Sequence, residues 1–140
     1  MTPEHVSRIR ELAAKFRFAI LKVNPERLTI TMRNFPVGSC GDASLLLAKF
    51  LQEKGYSGIT YVCGWKNRQS HAWLEVDDVV IDITADQFRD DMEPVIVTQD
   101  RSWHSQFEED FRHPADFDTY DAHTRASLCG AYLQIISALH

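Results

Sequence analysis

Residues 38–46 of the chain read GSCGDASLL, and residues 71–84 read HAWLEVDDVVIDIT. Small residues flank Cys40 on both sides, so the chain can turn there and a substrate can approach the backbone. The apolar residues that follow recur at helical spacing, namely Ala43, Leu46, Leu47, Phe50 and Leu51. Gly55 is a suitable residue to follow the end of a helix. The pattern predicts a helix that begins beside Cys40.

The second stretch predicts a β-hairpin, with strands over residues 71–76 and 79–83 and a turn at Asp77-Asp78. If the strands pair evenly around that turn, their apolar side chains share one face. His71 and Asp82 then share the other face as diagonal neighbours, within reach of a side-chain hydrogen bond. A carboxylate inside an apolar strand needs a partner, and this register supplies one.

Helices are predicted over residues 3–21, with Thr2 as the cap, and over residues 121–139. Residues 59–63 and 94–98 predict two further strands, and residues 28–32 predict either a strand or an irregular connection. The segment 85–120 is acidic, with scattered aromatic residues and no clean period. These elements predict a single α+β domain over residues 1–140, with the Cys40 helix packed on an antiparallel sheet.

Composition excludes several classes of function. The chain has 140 residues, 44% of them hydrophobic, and 15 Lys and Arg against 20 Asp and Glu. A net charge of -5 argues against a nucleic-acid partner, and no apolar run is long enough to cross a membrane. There is no visible secretory signal and no glycine-rich phosphate loop. Three well-separated cysteines fit free thiols in the cytoplasm, where we expect the protein to reside; the oligomeric state is not predicted.

Charge is unevenly distributed along the chain. Residues 1–76 carry 11 basic and 6 acidic side chains, whereas residues 77–140 carry 4 basic and 14 acidic ones. Two interpretations remain open: the two parts attract each other across one fold, or an acidic rim selects a basic substrate.

Cys40, His71 and Asp82 are the residues that we predict to be catalytic. A thiol at a helix N-terminus faces the positive end of the helix dipole, which favours the nucleophilic thiolate. The exposed N–H groups of that first turn can also stabilise a developing oxyanion. An imidazole can take and return the proton, and a carboxylate can fix the imidazole tautomer.

Residues 38–46, Gly55, residues 61–64 and residues 71–84 together resemble the transglutaminase-like branch of the papain-like cysteine enzymes. In that family a Gly-x-Cys motif opens a helix, a His-Ala-Trp strand carries the histidine, and an Asp-Pro-Thr-like segment carries the aspartate. Here Ile83 replaces the usual proline. The resemblance implies a papain-like α+β fold, with Cys40 as nucleophile and no cofactor.

In the same way, the resemblance implies that His71 is the base and Asp82 the residue that orients it. It implies a peptide or protein substrate but leaves the reaction open among peptide hydrolysis, deamidation and cross-linking. Because inactive relatives occur, a non-catalytic module that binds peptides is the alternative. Asn34 lies six residues before Cys40, where papain-like enzymes use a glutamine. It is therefore a candidate oxyanion donor, or else a plain turn residue.

Several other residues have two interpretations. Trp73 either walls a substrate cleft or belongs to the core, and Trp65 is expected in the core. Cys63 and Cys129 are expected to be packing residues. Cys40, Cys63 and His71 lack the close ligand pair of a zinc site, so no metal is expected. The remaining candidates, His104, His113 and His123, are expected to be surface histidines.

Overall fold

A five-stranded antiparallel sheet and three α-helices form the part of the protein that the computed structural model describes, residues 1–88 and 91–139. The strand order across the sheet is β4-β3-β2-β1-β5. In chain order the elements are α1 (Pro3–Lys22), α2 (Cys40–Glu53), β1 (Thr60–Lys66), β2 (Gln69–Val76), β3 (Val79–Asp82), β4 (Ile96–Thr98), β5 (Glu108–Pro114) and α3 (Ala122–Ser137). This arrangement confirms the α+β class. No helix among the described residues has the length and apolar character needed to span a membrane.

The helices pack together on one face of the sheet. Thr2 caps α1 as predicted, because its side chain accepts a hydrogen bond from the His5 amide at 3.3 Å. Phe16 of α1 stacks on Phe50 of α2 with ring centroids 5.1 Å apart. The Ser44 hydroxyl donates to the Ala72 carbonyl at 3.5 Å, so α2 lies directly on β2. The helix that begins at Cys40 is therefore fixed against the strand that carries His71.

The hairpin has the predicted register. Leu74 pairs with Ile81, and Val76 pairs with Val79. β3 ends at Asp82, so the chain leaves the ladder one residue earlier than predicted and turns through a short 3-10 helix, Ala85–Gln87. This early departure brings the segment after β3 across the end of β2 that carries His71.

Two parts of the chain differ from the prediction. Residues 28–32 contain a 3-10 turn, Ile30–Met32, rather than a strand. The hydroxyls of Thr29 and Thr31 donate to Asp42 Oδ2 at 2.7 and 2.6 Å, which draws this segment onto the first turn of α2. β5 was not predicted, because it is an edge strand whose seven residues are exposed except for the half-buried His113, so it shows no apolar alternation.

The second face of the sheet has a smaller core of its own. Val62, Trp73, Val80 and Phe107 are buried there, with Phe88 and Trp103 packed against them. The aromatic residues of the 85–120 segment thus cover the sheet face that carries His71 and Asp82. Arg89 and Asp90 of that segment lie outside the described residues.

Candidate active site

Cys40 is the first residue of α2 and is half-buried. The turn before it is held by Ser39, whose hydroxyl donates to the Thr31 carbonyl at 2.9 Å. Gly38 has a φ of +71°, a conformation that favours glycine. At Gly41, an added Cβ would lie 3.1 Å from the Tyr61 hydroxyl, so β1 approaches the start of α2 closely. Small residues around Cys40 therefore serve both the turn and this contact.

His71 and Asp82 are joined by a short hydrogen bond, with 2.7 Å between His71 Nε2 and Asp82 Oδ2. Both side chains are buried. On its other oxygen, Oδ1, Asp82 accepts a hydrogen bond from the Thr84 amide at 2.9 Å. The structure thus brings together the two hairpin residues that the register predicted as diagonal neighbours.

Cys40 reaches the same imidazole. Burial lowers the pKa of His71, but the charge of Asp82 and its hydrogen bond raise it by more. A hydrogen bond from Cys40 and the Cys40 charge raise it further, to a pKa of about 9. The Cys40 side chain therefore lies near the ring whose Nε2 faces Asp82. Sulfur, imidazole and carboxylate from three separate parts of the chain thus lie close together.

The carboxyl group of Asp82 is held in its ionised form. Burial raises its pKa, but the His71 charge and hydrogen bonds from His104 and His71 lower it well below the usual range of an aspartate. An ionised carboxylate only accepts hydrogen bonds, so both histidines must present an N–H to it. This fixes a hydrogen on His71 Nε2 and leaves Nδ1 as the nitrogen that exchanges protons.

The position of His104 corrects the prediction of a surface histidine. Its side chain is 3% exposed, and its Nε2 lies 2.7 Å from Asp82 Oδ2. The ring is packed between Trp103, at 4.8 Å between centroids, and Trp73, at 5.0 Å. Aromatic residues on each side of it in sequence, Trp103 and Phe107, were the available sign of burial. Of the other two histidines, His123 is exposed and His113 is half-buried against the Tyr61 ring.

Gln87 is a second site residue that the sequence did not indicate. Its Nε2 lies 3.2 Å from His71 Nδ1, and its Oε1 accepts a hydrogen bond from the Gly38 amide at 3.3 Å. The Gly38 contact fixes which end of the amide faces the ring. An NH₂ group can donate only to an unprotonated Nδ1, so this contact requires the neutral imidazole, the form that prevails above the His71 pKa of about 9. When Nδ1 is protonated, its hydrogen needs an acceptor, and the nearby Cys40 side chain can supply one.

Asn34, the predicted oxyanion donor, is exposed in the turn before Cys40. Its carbonyl accepts the Val37 amide at 2.8 Å, as in a plain turn. Among the described residues, the side-chain amide that contacts the Cys40–His71–Asp82 set is Gln87 rather than Asn34. Residue spacing could not show this, because Gln87 arrives from the segment that follows β3.

Of the two interpretations of Trp73, the structure favours the buried one, whereas the expectation that Trp65 lies in the core is wrong. Trp73 is 4% exposed and donates from Nε1 to Glu75 Oε2 at 3.0 Å, so it belongs to the buried face and does not wall an open cleft. The centroids of the Trp73 and His71 rings are 5.7 Å apart, so Trp73 packs against the imidazole. Trp65 is 47% exposed rather than in the core, with Nε1 donating to Asp110 Oδ2 at 3.1 Å.

The two remaining thiols, Cys63 and Cys129, are half-buried and pack against the main core, as predicted. Burial raises the pKa of Cys63, and the charge of Cys40 raises it further. Cys63 is therefore a natural control for experiments on Cys40.

The sequence analysis considered Cys40, Cys63 and His71 as metal ligands, but the structure brings a different group of three potential ligands together. Potential ligand atoms of His71, Asp82 and His104 lie within 4.8 Å of one another. Each imidazole Nε2, however, is 2.7 Å from the same carboxylate oxygen. Two ligands of one tetrahedral zinc lie about 3.3 Å apart, whereas 2.7 Å is a charge-assisted hydrogen bond. The spacing of the three groups fits shared protons better than a shared ion.

No protein-family model, curated protein or solved structure matches this chain significantly.

Proposed function

We propose that the protein is a cysteine hydrolase or acyltransferase that acts on amide bonds of a peptide or protein, with a papain-like, transglutaminase-like fold and a cytoplasmic location. One observation carries this proposal: Cys40, the first residue of α2, lies near enough to an imidazole to act on its pKa, and Nε2 of that imidazole is 2.7 Å from a buried carboxylate. Nucleophile, base and orienting group occur in that order in the cysteine enzymes that use this chemistry.

In the first half of the reaction, Cys40 Sγ gives its proton to His71 Nδ1 and attacks the carbonyl carbon of the substrate. The C–N bond then breaks, and the leaving amine takes that proton from Nδ1. The product of this half-reaction is a thioester on Cys40. In the second half, water or a second amine gives a proton to His71 Nδ1 and attacks the thioester carbon. The C–S bond then breaks, and His71 returns the proton to Cys40 Sγ, which restores the thiol.

Asp82 keeps the imidazole in one tautomer and stabilises its protonated form throughout. The oxyanion that forms during attack is stabilised by the amide N–H groups of the first turn of α2. Gln87 adds to them. Once Nδ1 has taken the thiol proton, the Gln87 NH₂ can no longer donate to the ring and becomes available to the substrate oxygen.

A surface for the substrate lies beside the nucleophile. The rings of Tyr61, Phe111 and His113 are stacked, with centroids 5.0 Å apart for Tyr61–His113 and 6.1 Å for Tyr61–Phe111. Phe111 is 45% exposed, so the stack reaches solvent. An aromatic surface of this kind suits an apolar side chain of a peptide.

Two labelling experiments test the proposal. At pH 7, we expect iodoacetamide to alkylate Cys40 about ten-fold faster than a cysteine in an unfolded peptide, because the nearby His71 imidazole can take the thiol proton. The Cys40→Ala variant should lose this fast phase, whereas Cys63→Ala should keep it. Incubation with a peptide library should leave a thioester adduct on Cys40 that is detected by intact-protein mass spectrometry. Alkylation of all three thiols at the rate of an unfolded peptide would refute an activated Cys40.

The same experiments separate catalysis from mere binding. A peptide-binding module would retain a peptide in equilibrium dialysis yet form no adduct on Cys40. An adduct whose mass matches a peptide fragment would indicate peptide hydrolysis, and loss of ammonia from an intact peptide would indicate attack on a glutamine side chain.

A further inference from the structure

We propose that His104 is a positioning residue for this chemistry: it donates Nε2–H to Asp82 Oδ2 and so shares the carboxylate on which His71 depends. The role rests on the proposed acyl transfer, in which His71 moves the proton. His104 contacts the carboxylate and not the reacting atoms. It would act on the reaction through Asp82 alone.

The contacts of Asp82 carry the argument. Its Oδ2 is 2.7 Å from Nε2 of both His71 and His104. Its Oδ1 accepts from the Thr84 amide at 2.9 Å and from the Thr84 hydroxyl at 3.5 Å. With 1% of the residue exposed, water has little access to this carboxylate. The protein itself therefore supplies the donors that an ionised carboxylate requires.

The surroundings of His104 show why an imidazole matters at this position. Its ring is packed between two aromatic residues, edge-on to Trp103 and tilted against Trp73, and these would accept a phenylalanine of similar size. Asp82 is the group that accepts a hydrogen bond from Nε2–H of the His104 ring. Two donors on one oxygen divide its negative charge between them, so His104 weakens the hold of Asp82 on the proton of His71.

Other charges near this face are already compensated. Glu75 lies beneath Trp73, and its carboxylate pairs with Arg101 at 2.9 Å and with Arg112 at 3.5 Å. Within residues 1–88 and 91–139, the charged and titratable groups that contact Asp82 are thus His71 from β2 and His104 from the segment that follows β4. Cys40 from α2 also acts on His71. Removing the His104 donor should leave Asp82 Oδ2 to His71, while Thr84 continues to donate to Oδ1.

The test compares His104→Phe, which fills the space without a donor, with His104→Gln, whose amide nitrogen can replace Nε2–H. Titration of ¹⁵N-histidine-labelled protein by NMR follows His71 directly. We expect its midpoint to rise by about one pH unit in His104→Phe and to return towards the wild-type value in His104→Gln. Equal midpoints in all three proteins would overturn the proposal, as would failure of Gln to restore the midpoint.

A measurement on the unmodified protein avoids any dependence on folding of the variants. Long-range ¹H–¹⁵N spectra should show that Nε2 of both His71 and His104 carries hydrogen between pH 6 and pH 8, because both donate to Asp82. A His104 ring without hydrogen on Nε2 would refute the shared carboxylate. These spectra require no turnover, so an unreactive Cys40 would refute the acyl-transfer function and leave this result intact.

Discussion

Arg17 on the first helix forms a two-pronged ion pair with Asp86, with Nη1–Oδ1 at 2.9 Å and Nη2–Oδ2 at 2.7 Å. Asp86 is next to Gln87 in the short 3-10 helix after β3. The guanidinium also donates to the Ile83 carbonyl at 2.5 Å and lies 5.0 Å from the centroid of the Phe35 ring. Arg17 therefore holds the segment that carries Gln87 and the turn before Cys40 against the same helix.

Replacing Arg17 with methionine should destabilise the protein by about 2 kcal/mol, since Asp86 and a buried carbonyl would lose their partner. The reduction would be measured as a lower free energy of unfolding in urea. Arg8→Met is the matched control, because the Arg8 side chain is 49% exposed and its pair with Glu11 lies on the surface. Its effect should stay within about 0.5 kcal/mol. Equal losses in both variants would contradict a special role for Arg17.

The stability of the protein should depend on pH through His71 and Asp82. The pKa of His71 rises to about 9 in the folded protein, from an ordinary value of 6.5. A raised pKa stabilises the fold below the unfolded value, and that stabilisation is lost as pH rises through the folded value. We expect the free energy of unfolding to fall by roughly 3 kcal/mol between about pH 6.5 and about pH 9.

Asp82→Asn removes the main cause of that dependence, so its stability should be nearly flat over the same alkaline range. In acid, the free energy of unfolding should change with pH in the opposite direction. The pKa of Asp82 is lowered on folding, so its contribution is present above the ordinary aspartate pKa and is lost as pH falls below it. Urea titrations at a series of pH values test the predictions for the alkaline and the acidic range. Parallel alkaline slopes for wild type and Asp82→Asn would be inconsistent with this account.

Gln87→Ala should separate two properties of Cys40. The burst of p-nitrophenol from p-nitrophenyl acetate passes through an oxyanion, and we expect it to slow about 100-fold without the amide donor. Alkylation by iodoacetamide forms no oxyanion and should persist. Gln99→Ala is the control, because Gln99 donates to Asp78 at an exposed position, at 2.6 Å. If Gln87→Ala retains the full burst rate, Gln87 does not stabilise the oxyanion.

Two glycines should respond in opposite directions to alanine. At Gly64, an added Cβ would lie 2.9 Å from the Glu108 carbonyl oxygen, where β5 approaches β1, so Gly64→Ala should destabilise the fold by about 1–3 kcal/mol. Gly130 lies in α3 with open space around it, so Gly130→Ala should stabilise by about 1 kcal/mol. Thermal unfolding followed by circular dichroism measures both shifts. A lower melting temperature for Gly130→Ala would disagree with this reasoning.

The sequence predicted those parts of the protein whose interactions are local. The helices and the hairpin register follow from apolar spacing, and the meeting of His71 with Asp82 follows from that register. The meeting of Cys40 with His71 was inferred from residue types and a family resemblance, since the distance between separate elements is not encoded in spacing.

His104 and Gln87 could not be predicted by the same means. Both come from the acidic segment after β3, where polar residues and isolated aromatics conceal which side chains turn inward. His104 is buried because its neighbouring rings cover the sheet, and Gln87 is placed by Arg17 from a distant helix. Contacts of long sequence separation determine both positions, and no periodic pattern marks them.

Pairing between β2 and β3 extends only from Leu74–Ile81 to the turn at Val76–Val79. Had β3 continued for two more paired residues, main chain would lie alongside the His71 end of β2, where the Gln87 amide now contacts the ring. The brevity of a four-residue strand thus creates an opening through which a side chain, rather than a peptide group, meets the imidazole. A protein engineer who extended this hairpin to gain rigidity should expect to displace that amide and to leave the imidazole bordered by a continuous sheet.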